Sequence, residues 1–120
     1  MTKSKSAGLS SLRLLAEVDH GLDAFVVQQI CAVFAHHNVV GMAVLYGSRA
    51  KGCYRKGSDI DLTLMASSAE LLDLETISQI EEALDDLMLP YSFDLSVFAE
   101  IENQNLVDHI QRVGVIFYQR

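Results

Sequence analysis

The chain has 120 residues, half of them hydrophobic, and a formal net charge of −7. This length and composition predict one folded domain over residues 1–120 and exclude a disordered chain. The negative charge argues against general binding to nucleic acid, so any phosphate contact must come from a local site. Neither a signal sequence nor the roughly 18 apolar residues of a membrane span is found, which predicts a cytoplasmic protein without a membrane partner.

The N-terminal extension, residues 1–20, contains several apolar residues before the first clear helix. These residues either cover the core, in a helix or in another form, or present an exposed patch to a partner or a second copy of the chain. Both options stay open for this set: Leu9, Leu12, Leu14, Leu15 and Val18.

An amphipathic helix is predicted from Asp23 to His37, followed by a strand from Val39 to Tyr46. The strand ends at Gly47, and the polar residues Ser48 to Gly57 predict a turn or one helical turn followed by a loop. A second strand, Asp59 to Met65, alternates between polar and apolar residues. The apolar stripe of the helix is expected to consist of Leu22, Phe25, Val26, Ile30, Val33 and Phe34.

A second helix is predicted to begin with the capping box Ser67-Ser68-Ala69-Glu70 and to end before Pro90. After it, Ser92 to Phe98 alternates like a strand, Asn103 to Arg112 is helical, and Gly114 to Tyr118 forms a last short strand. The buried face of the second helix is expected to consist of Leu74, Ile77, Leu84 and Leu87.

The order of these elements is helix, strand, turn, strand, helix, strand and helix. This order predicts an α/β (α+β) fold with a small mixed β-sheet flanked by helices. The first two strands are joined by a polar connection of about a dozen residues, the minimum for a parallel crossover. We therefore expect Val39–Tyr46 and Asp59–Met65 to pair antiparallel.

Three aspartates are candidates for a metal site. Asp59 and Asp61 project to the same side of a strand, roughly 6.5–7 Å apart along it. Asp94 lies on the polar face of another strand, so it emerges beside them if both apolar faces share one core. Grouped carboxylates repel each other unless a cation offsets their charge, and Mg²⁺ prefers such oxygen ligands together with substrate phosphates. The alternative for Asp59 and Asp61 is a solvated strand face.

Basic residues cluster directly before these aspartates: Arg49, Lys51, Arg55 and Lys56. A glycine after a strand lets the backbone approach a ligand, and free N–H groups at a following helical turn bind phosphate. Gly47, Ser48 and Arg49 are therefore candidates for binding the phosphates of a nucleoside triphosphate. Arg49 has a structural alternative, in which it pairs with Asp59 or Asp61. The other basic residues are expected in a solvated loop.

Ten residues, Arg49 to Ser58, separate Gly47-Ser48 from Asp59-x-Asp61, and Asp94 follows in a later strand. With this spacing the chain resembles the minimal nucleotidyltransferase family, short members of the DNA polymerase beta-like nucleotidyltransferase superfamily. The resemblance covers nearly the whole chain. It rests on the segments GSRAKG, GSDIDL, FDLSVF and DHIQRVGVIFY and on the helix that ends in LPY.

The resemblance implies a polymerase beta-like nucleotidyltransferase fold and transfer of a nucleoside monophosphate, AMP from ATP or that of another NTP, to an acceptor hydroxyl. It implies a pair of Mg²⁺ ions held by Asp59, Asp61 and Asp94, with Asp94 also a candidate base. Gly47 and Ser48 would hold the triphosphate. A chain of this length leaves no space for a domain that binds the acceptor. The family implies a separate helical partner of the HEPN or substrate-binding type, in a homo- or hetero-oligomer.

Several functions stay open on the sequence. The leading one is an adenylyltransferase that modifies the HEPN partner, as the antitoxin or catalytic half of a two-component system. Another is a non-catalytic antitoxin that neutralises the HEPN partner by binding. The last is a transferase for a small molecule of aminoglycoside type.

Overall fold

One mixed sheet forms the centre of the fold. The computed structural model describes Leu9 and residues 12–67 and 72–120. Its strands are β1 (Arg13–Leu14), β2 (Val40–Tyr46), β3 (Ile60–Ala66), β4 (Phe93–Val97) and β5 (Val115–Gln119). Its helices are α1 (Ala24–His36), α2 (Gly47–Lys51), α3 (Leu74–Asp85) and α4 (Gln104–Val113), with short 3-10 turns at Leu15–Glu17 and Phe98–Glu100.

The strands lie in the order β1-β5-β2-β3-β4. β2 pairs antiparallel with both β3 and β5, whereas β4 is parallel to β3 and β1 is parallel to β5. The predicted mixed sheet and the predicted antiparallel pair are therefore confirmed. α3 lies in the connection that the parallel pair β3 and β4 requires. Within the described ranges, no helix is both long and apolar enough to cross a membrane.

α1 and α3 cover one face of the sheet. Ile60, Leu62 and Leu64 of β3 point to this side and are fully buried, as their alternation predicts. Because successive side chains of a strand point to opposite faces, Asp61 projects to the other side. The helix residues of this core include Ile30, Phe34, Ile80 and Leu84.

α4 covers the opposite face, the one to which Asp61 projects. Val107 and Ile110 of this helix are buried in one cluster with Val44 and Tyr46 of β2. Asn103 is the N-cap of α4 and accepts hydrogen bonds from the N–H groups of residues 105 and 106, which satisfies donors that have no partner within the helix. The polar face of β3 therefore lies on the α4 side of the sheet.

Two residues predicted to be buried are exposed instead. Phe25 is 68% exposed and Leu74 is 82% exposed. Each stands in the first turn of its helix, close to residues that are buried: Leu22 and Val26 near Phe25, and Leu72 near Leu74. Helical periodicity identifies the face of a helix that turns to the core, but not which residues at the edge of that face are covered.

α3 begins later than the sequence predicts. Asp73 is its N-cap and accepts a hydrogen bond of 2.8 Å from the N–H of Thr76. Of the predicted capping box, residues 68–70 lie outside the described residues, and the Ser67 hydroxyl donates to the carbonyl of Asn38. The helix ends at Asp85, before Pro90 as predicted.

The described part of the N-terminal extension runs along the domain as β1 and a 3-10 turn. Leu9 is buried, and Leu12, Leu15 and Val18 are half-buried against the core clusters. Leu14 is the exception, since it is 55% exposed. The option in which this segment covers the core therefore holds for most of its apolar residues.

Arg120 caps the C-terminal end of α1. Its guanidinium donates to the carbonyls of Phe34, Ala35, His37 and Val40 at 3.0–3.3 Å. The last carbonyls of a helix have no donor within the helix, and they attract a cation. We expect Arg120→Ala to lower the free energy of unfolding by about 1 kcal/mol in chemical denaturation. A loss no larger than that of the neighbouring exposed change Gln119→Ala would contradict this capping role.

Candidate active site

Gly47 lies directly against the carboxylate of Asp61. It follows β2, begins α2 and has φ +76°. A Cβ built on Gly47 would overlap with the Asp61 carboxylate. Both the backbone conformation and this contact require glycine here. The turn predicted after β2 is one short helix, and it brings the Gly-Ser pair to the aspartates.

Asp61 and Asp94 are neighbours across the sheet. They are register partners in the parallel pair of β3 and β4, whose backbones are about 4.8 Å apart. On its other side, Asp61 is paired in register with Tyr46 of β2. Side chains in register share a face of the sheet, so Asp61 stands in the middle of a row formed by Tyr46, Asp61 and Asp94.

Asp59 lies just before β3 and is exposed. Burial raises the pKa of Asp61 to about 6, and the negative charges of Asp94 and Asp59 add to this shift. The structure thus gathers the predicted carboxylates into one electrostatic group. In the described part of the chain, no three His, Cys, Asp or Glu side chains lie close enough together to hold a metal ion by themselves. The group is a loose cluster of acids.

The chemistry of this cluster fits a hard divalent cation. Its donors are carboxylate oxygens, which Mg²⁺ prefers. Burial and the negative charges of Asp94 and Asp59 raise the pKa of Asp61, and a bound cation would reverse that shift. Asp59, Asp61 and Asp94 are the candidates for holding such an ion together with water or phosphate oxygens.

Tyr46 lies beside the carboxylates. The apolar residues that precede it in the sequence do not indicate this position. It is buried, and burial raises the pKa of its phenol, as do the nearby charges of Asp94 and Asp61. The ring of His109, from α4, packs edge-on to the Tyr46 ring with 6.3 Å between centroids. The sequence signal for this location is the position of Tyr46 directly before Gly47.

Arg49 is buried inside the domain, with 2% of its surface exposed. Its Nε and Nη2 donate to the Ser58 carbonyl at 3.2 and 2.9 Å, and Nη1 donates to the His20 carbonyl at 3.0 Å. The rings of Tyr54 and Tyr91 lie 5.1 and 5.0 Å from the guanidinium carbon. These contacts favour the structural alternative for Arg49 over phosphate binding, with carbonyls and rings in place of the expected aspartates.

The remaining basic residues of this region are exposed, as expected for a solvated loop: Lys51, Arg55 and Lys56. Ser48 is half-buried in α2. Between α2 and β3 the loop is held by hydrogen bonds between Arg55 and Ser58, in both directions. The ten-residue spacing of the sequence motif therefore corresponds to one helical turn and one compact loop.

The family model described as Polymerase beta, Nucleotidyltransferase matches residues 28–120. No curated protein matches the chain at the level of sequence. The matched residues include α2, β3 and β4, and hence every residue of the candidate site.

Solved structures share this fold. A crystal structure of a toxin–antitoxin protein with AMP-PNP superimposes with a TM-score of 0.62 at 20% identity, over 78% of this chain and 73% of that one. A crystal structure of the toxin–antitoxin MntA-HepT gives a TM-score of 0.60 at 16% identity, over 82% and 74% of the two chains. At identities this low the structures show a shared fold alone. Together with the family model, this likeness confirms the predicted polymerase beta-like nucleotidyltransferase fold.

Proposed function

Because the chain belongs to the polymerase beta nucleotidyltransferase family, we propose that it transfers a nucleoside monophosphate, AMP from ATP in the first instance, to an acceptor hydroxyl. The observation that carries this proposal is the contact of Gly47 with the Asp61 carboxylate, beside the register pair of Asp61 and Asp94. It places a backbone turn suited to phosphates next to carboxylates suited to a cation.

Asp59, Asp61 and Asp94 would hold a pair of Mg²⁺ ions. When bound, such ions neutralise the charge of the triphosphate and polarise the attacking and leaving oxygens. The residues themselves contribute the ligands and an excess of negative charge at the site. That excess is the reason why the site favours a nucleotide that brings its own divalent cations.

Gly47 and Ser48 bind the triphosphate through backbone N–H groups and the serine hydroxyl. Asp94 takes the proton from the acceptor hydroxyl. The acceptor oxygen then bonds to the α-phosphorus, the bond from that phosphorus to the bridging oxygen breaks, and pyrophosphate leaves. Arg49 has no part in phosphate binding in this scheme, since its donors are used by carbonyls.

The acceptor is proposed to be a hydroxyl on a helical partner of the HEPN type. The support is that toxin–antitoxin proteins, one of them MntA-HepT, have this fold. The chain then acts in the cytoplasm as the antitoxin or catalytic half of a two-component complex. A binding-only antitoxin and a small-molecule transferase are the competing functions, and the assay below tests the proposal against the first of them.

The assay incubates the purified chain with Mg²⁺, each labelled NTP in turn and a HEPN-type protein supplied as the candidate partner. We expect label on the partner with wild type and with Asp85→Asn, an exposed aspartate of α3 on the opposite side of the sheet. Asp61→Asn should transfer none. If wild type transfers no more label than Asp61→Asn with every NTP, the enzyme proposal fails. A stable complex without transfer would then identify a binding-only antitoxin.

A further inference from the structure

Arg49 links the two halves of the candidate site. It belongs to α2, two positions after Gly47, and its guanidinium is bonded twice to the carbonyl of Ser58. Ser58 directly precedes Asp59. One side chain therefore joins the helix that carries Gly47 and Ser48 to the residue from which the carboxylates begin.

The surroundings of Arg49 make this link rigid. A buried guanidinium is costly unless its N–H groups are satisfied, and here the carbonyls of Ser58 and His20 satisfy them. The rings of Tyr54 and Tyr91 lie within the range of cation–π contacts. The guanidinium thus has few alternative arrangements within the folded domain.

The N-terminal segment supports the same link from outside the matched family domain, which begins at residue 28. His20 supplies a carbonyl to Arg49, and Asp19 accepts a hydrogen bond of 3.0 Å from the Tyr54 hydroxyl. Gly21 has φ +79°, and a Cβ there would overlap with the Tyr54 ring. Residues 19–21 therefore fit closely against Arg49 and Tyr54.

We propose that Arg49 is a positioning residue that fixes the Gly47-Ser48 turn at the correct distance from Asp59 and Asp61. The role in catalysis rests on the proposed function, whereas the mechanical link does not. The hydrogen bonds from Arg49 to the Ser58 carbonyl close the loop of residues 50–57. They therefore hold Asp59 near Asp61 and near the turn.

Lysine cannot replace arginine in this role. Its ammonium is compact and lacks the planar fork that reaches the Ser58 and His20 carbonyls together. Arg49→Lys keeps the charge and removes the geometry. We expect Asp59 to move relative to Gly47 in this variant, with weaker binding of divalent cations as the result.

The first test is a Mn²⁺ titration of Arg49→Lys by electron paramagnetic resonance, with Mn²⁺ as the probe of the carboxylates. We expect Mn²⁺ affinity to fall about tenfold or more, in the range typical of residues that orient metal ligands. The matched control is Arg120→Lys, which disturbs another carbonyl-bonded arginine at the end of α1. It should lower stability and leave Mn²⁺ affinity unchanged. Equal Mn²⁺ affinity in wild type and folded Arg49→Lys overturns the proposal.

The second test is amide hydrogen exchange, which needs neither metal nor activity. In wild type the N–H groups of Arg55 and Ser58 are hydrogen-bonded within the loop, and we expect both to lose protection in Arg49→Lys but not in Arg120→Lys. Unchanged protection overturns the proposal. If wild type binds no Mn²⁺ but the exchange result holds, the proposed function fails and the link stands. Should Arg49→Lys not fold, Tyr91→Leu, which removes one ring from Arg49, takes its place with the same expected directions.

Discussion

Asp61→Asn is expected to stabilise the cation-free protein by about 1–2 kcal/mol at a pH of about 7.5, and to abolish nucleotidyl transfer. In the folded chain the pKa of Asp61 is about 6, against an ordinary value of 3.8. A shift of this size corresponds to about 3 kcal/mol, which we reduce because Asp61 is only partly buried and solvent screens its charge. Asparagine has a similar shape and no charge, so it removes the cost of burying a carboxylate as well as the repulsion from Asp94 and Asp59.

The pH dependence follows from the direction of the shift. Because the folded state holds the Asp61 proton more tightly than the unfolded state, this contribution to stability is full below a pH of about 4. It is lost as the pH rises through about 6. The advantage of Asp61→Asn should therefore be absent at about pH 4 and complete above about pH 7 in denaturation curves. The exposed change Asp85→Asn should alter stability by less than about 0.5 kcal/mol.

Mg²⁺ should reverse the order of stability of wild type and Asp61→Asn. Added Mg²⁺ binds the wild-type carboxylates and stabilises the folded state by mass action, whereas Asp61→Asn lacks one of the ligands. Transfer should fall more than about 1,000-fold, since losing a ligand exceeds the loss of about tenfold to a hundredfold for residues that only orient ligands. If Asp61→Asn is less stable than wild type when both are measured without divalent cations, the charge of Asp61 does not destabilise the folded domain, and the prediction is wrong. Equal transfer rates would contradict the role of Asp61 as a ligand.

The parts of the site that lie on strands were predictable from sequence. The alternation of residues 59–65 determines which side chains share a face, and β3 buries Ile60, Leu62 and Leu64 accordingly. Asp61 and Asp94 then meet because β3 and β4 pair in register. The pairing of β3 with β4 was not predicted, since alternation alone does not choose a neighbouring strand.

The surroundings of Arg49 were not predictable. The acceptors of Arg49 are backbone carbonyls, and every residue type has one, so no sequence pattern marks them. Aspartates were predicted as the partners of Arg49 because the charge of a residue can be read from the sequence, whereas the direction of a backbone carbonyl cannot. A similar reason applies to Leu74, where periodicity gives the helical face but not which residues at the edge of that face are covered.

Gly47→Ala is expected to lower kcat/KM for transfer at least about 100-fold, through two physical costs. The first is backbone strain, since φ is +76° at this position, and a residue with a Cβ in the left-handed region costs about 1–2 kcal/mol. The second is the overlap of the new methyl group with the Asp61 carboxylate. That carboxylate must move, and a displacement of about 1 Å in a reacting group can cost about a hundredfold in rate.

Gly57→Ala separates these two costs. Gly57 has φ +83°, and a Cβ there meets nothing within 4 Å. It therefore carries similar backbone strain without any contact with the carboxylates. We expect both variants to lose about 1 kcal/mol or more of unfolding free energy, but only Gly47→Ala to lose Mg²⁺-dependent stabilisation and transfer. If the two variants lose transfer to the same extent, strain in the loop explains the defect, and the contact between Gly47 and Asp61 has no role in the chemistry.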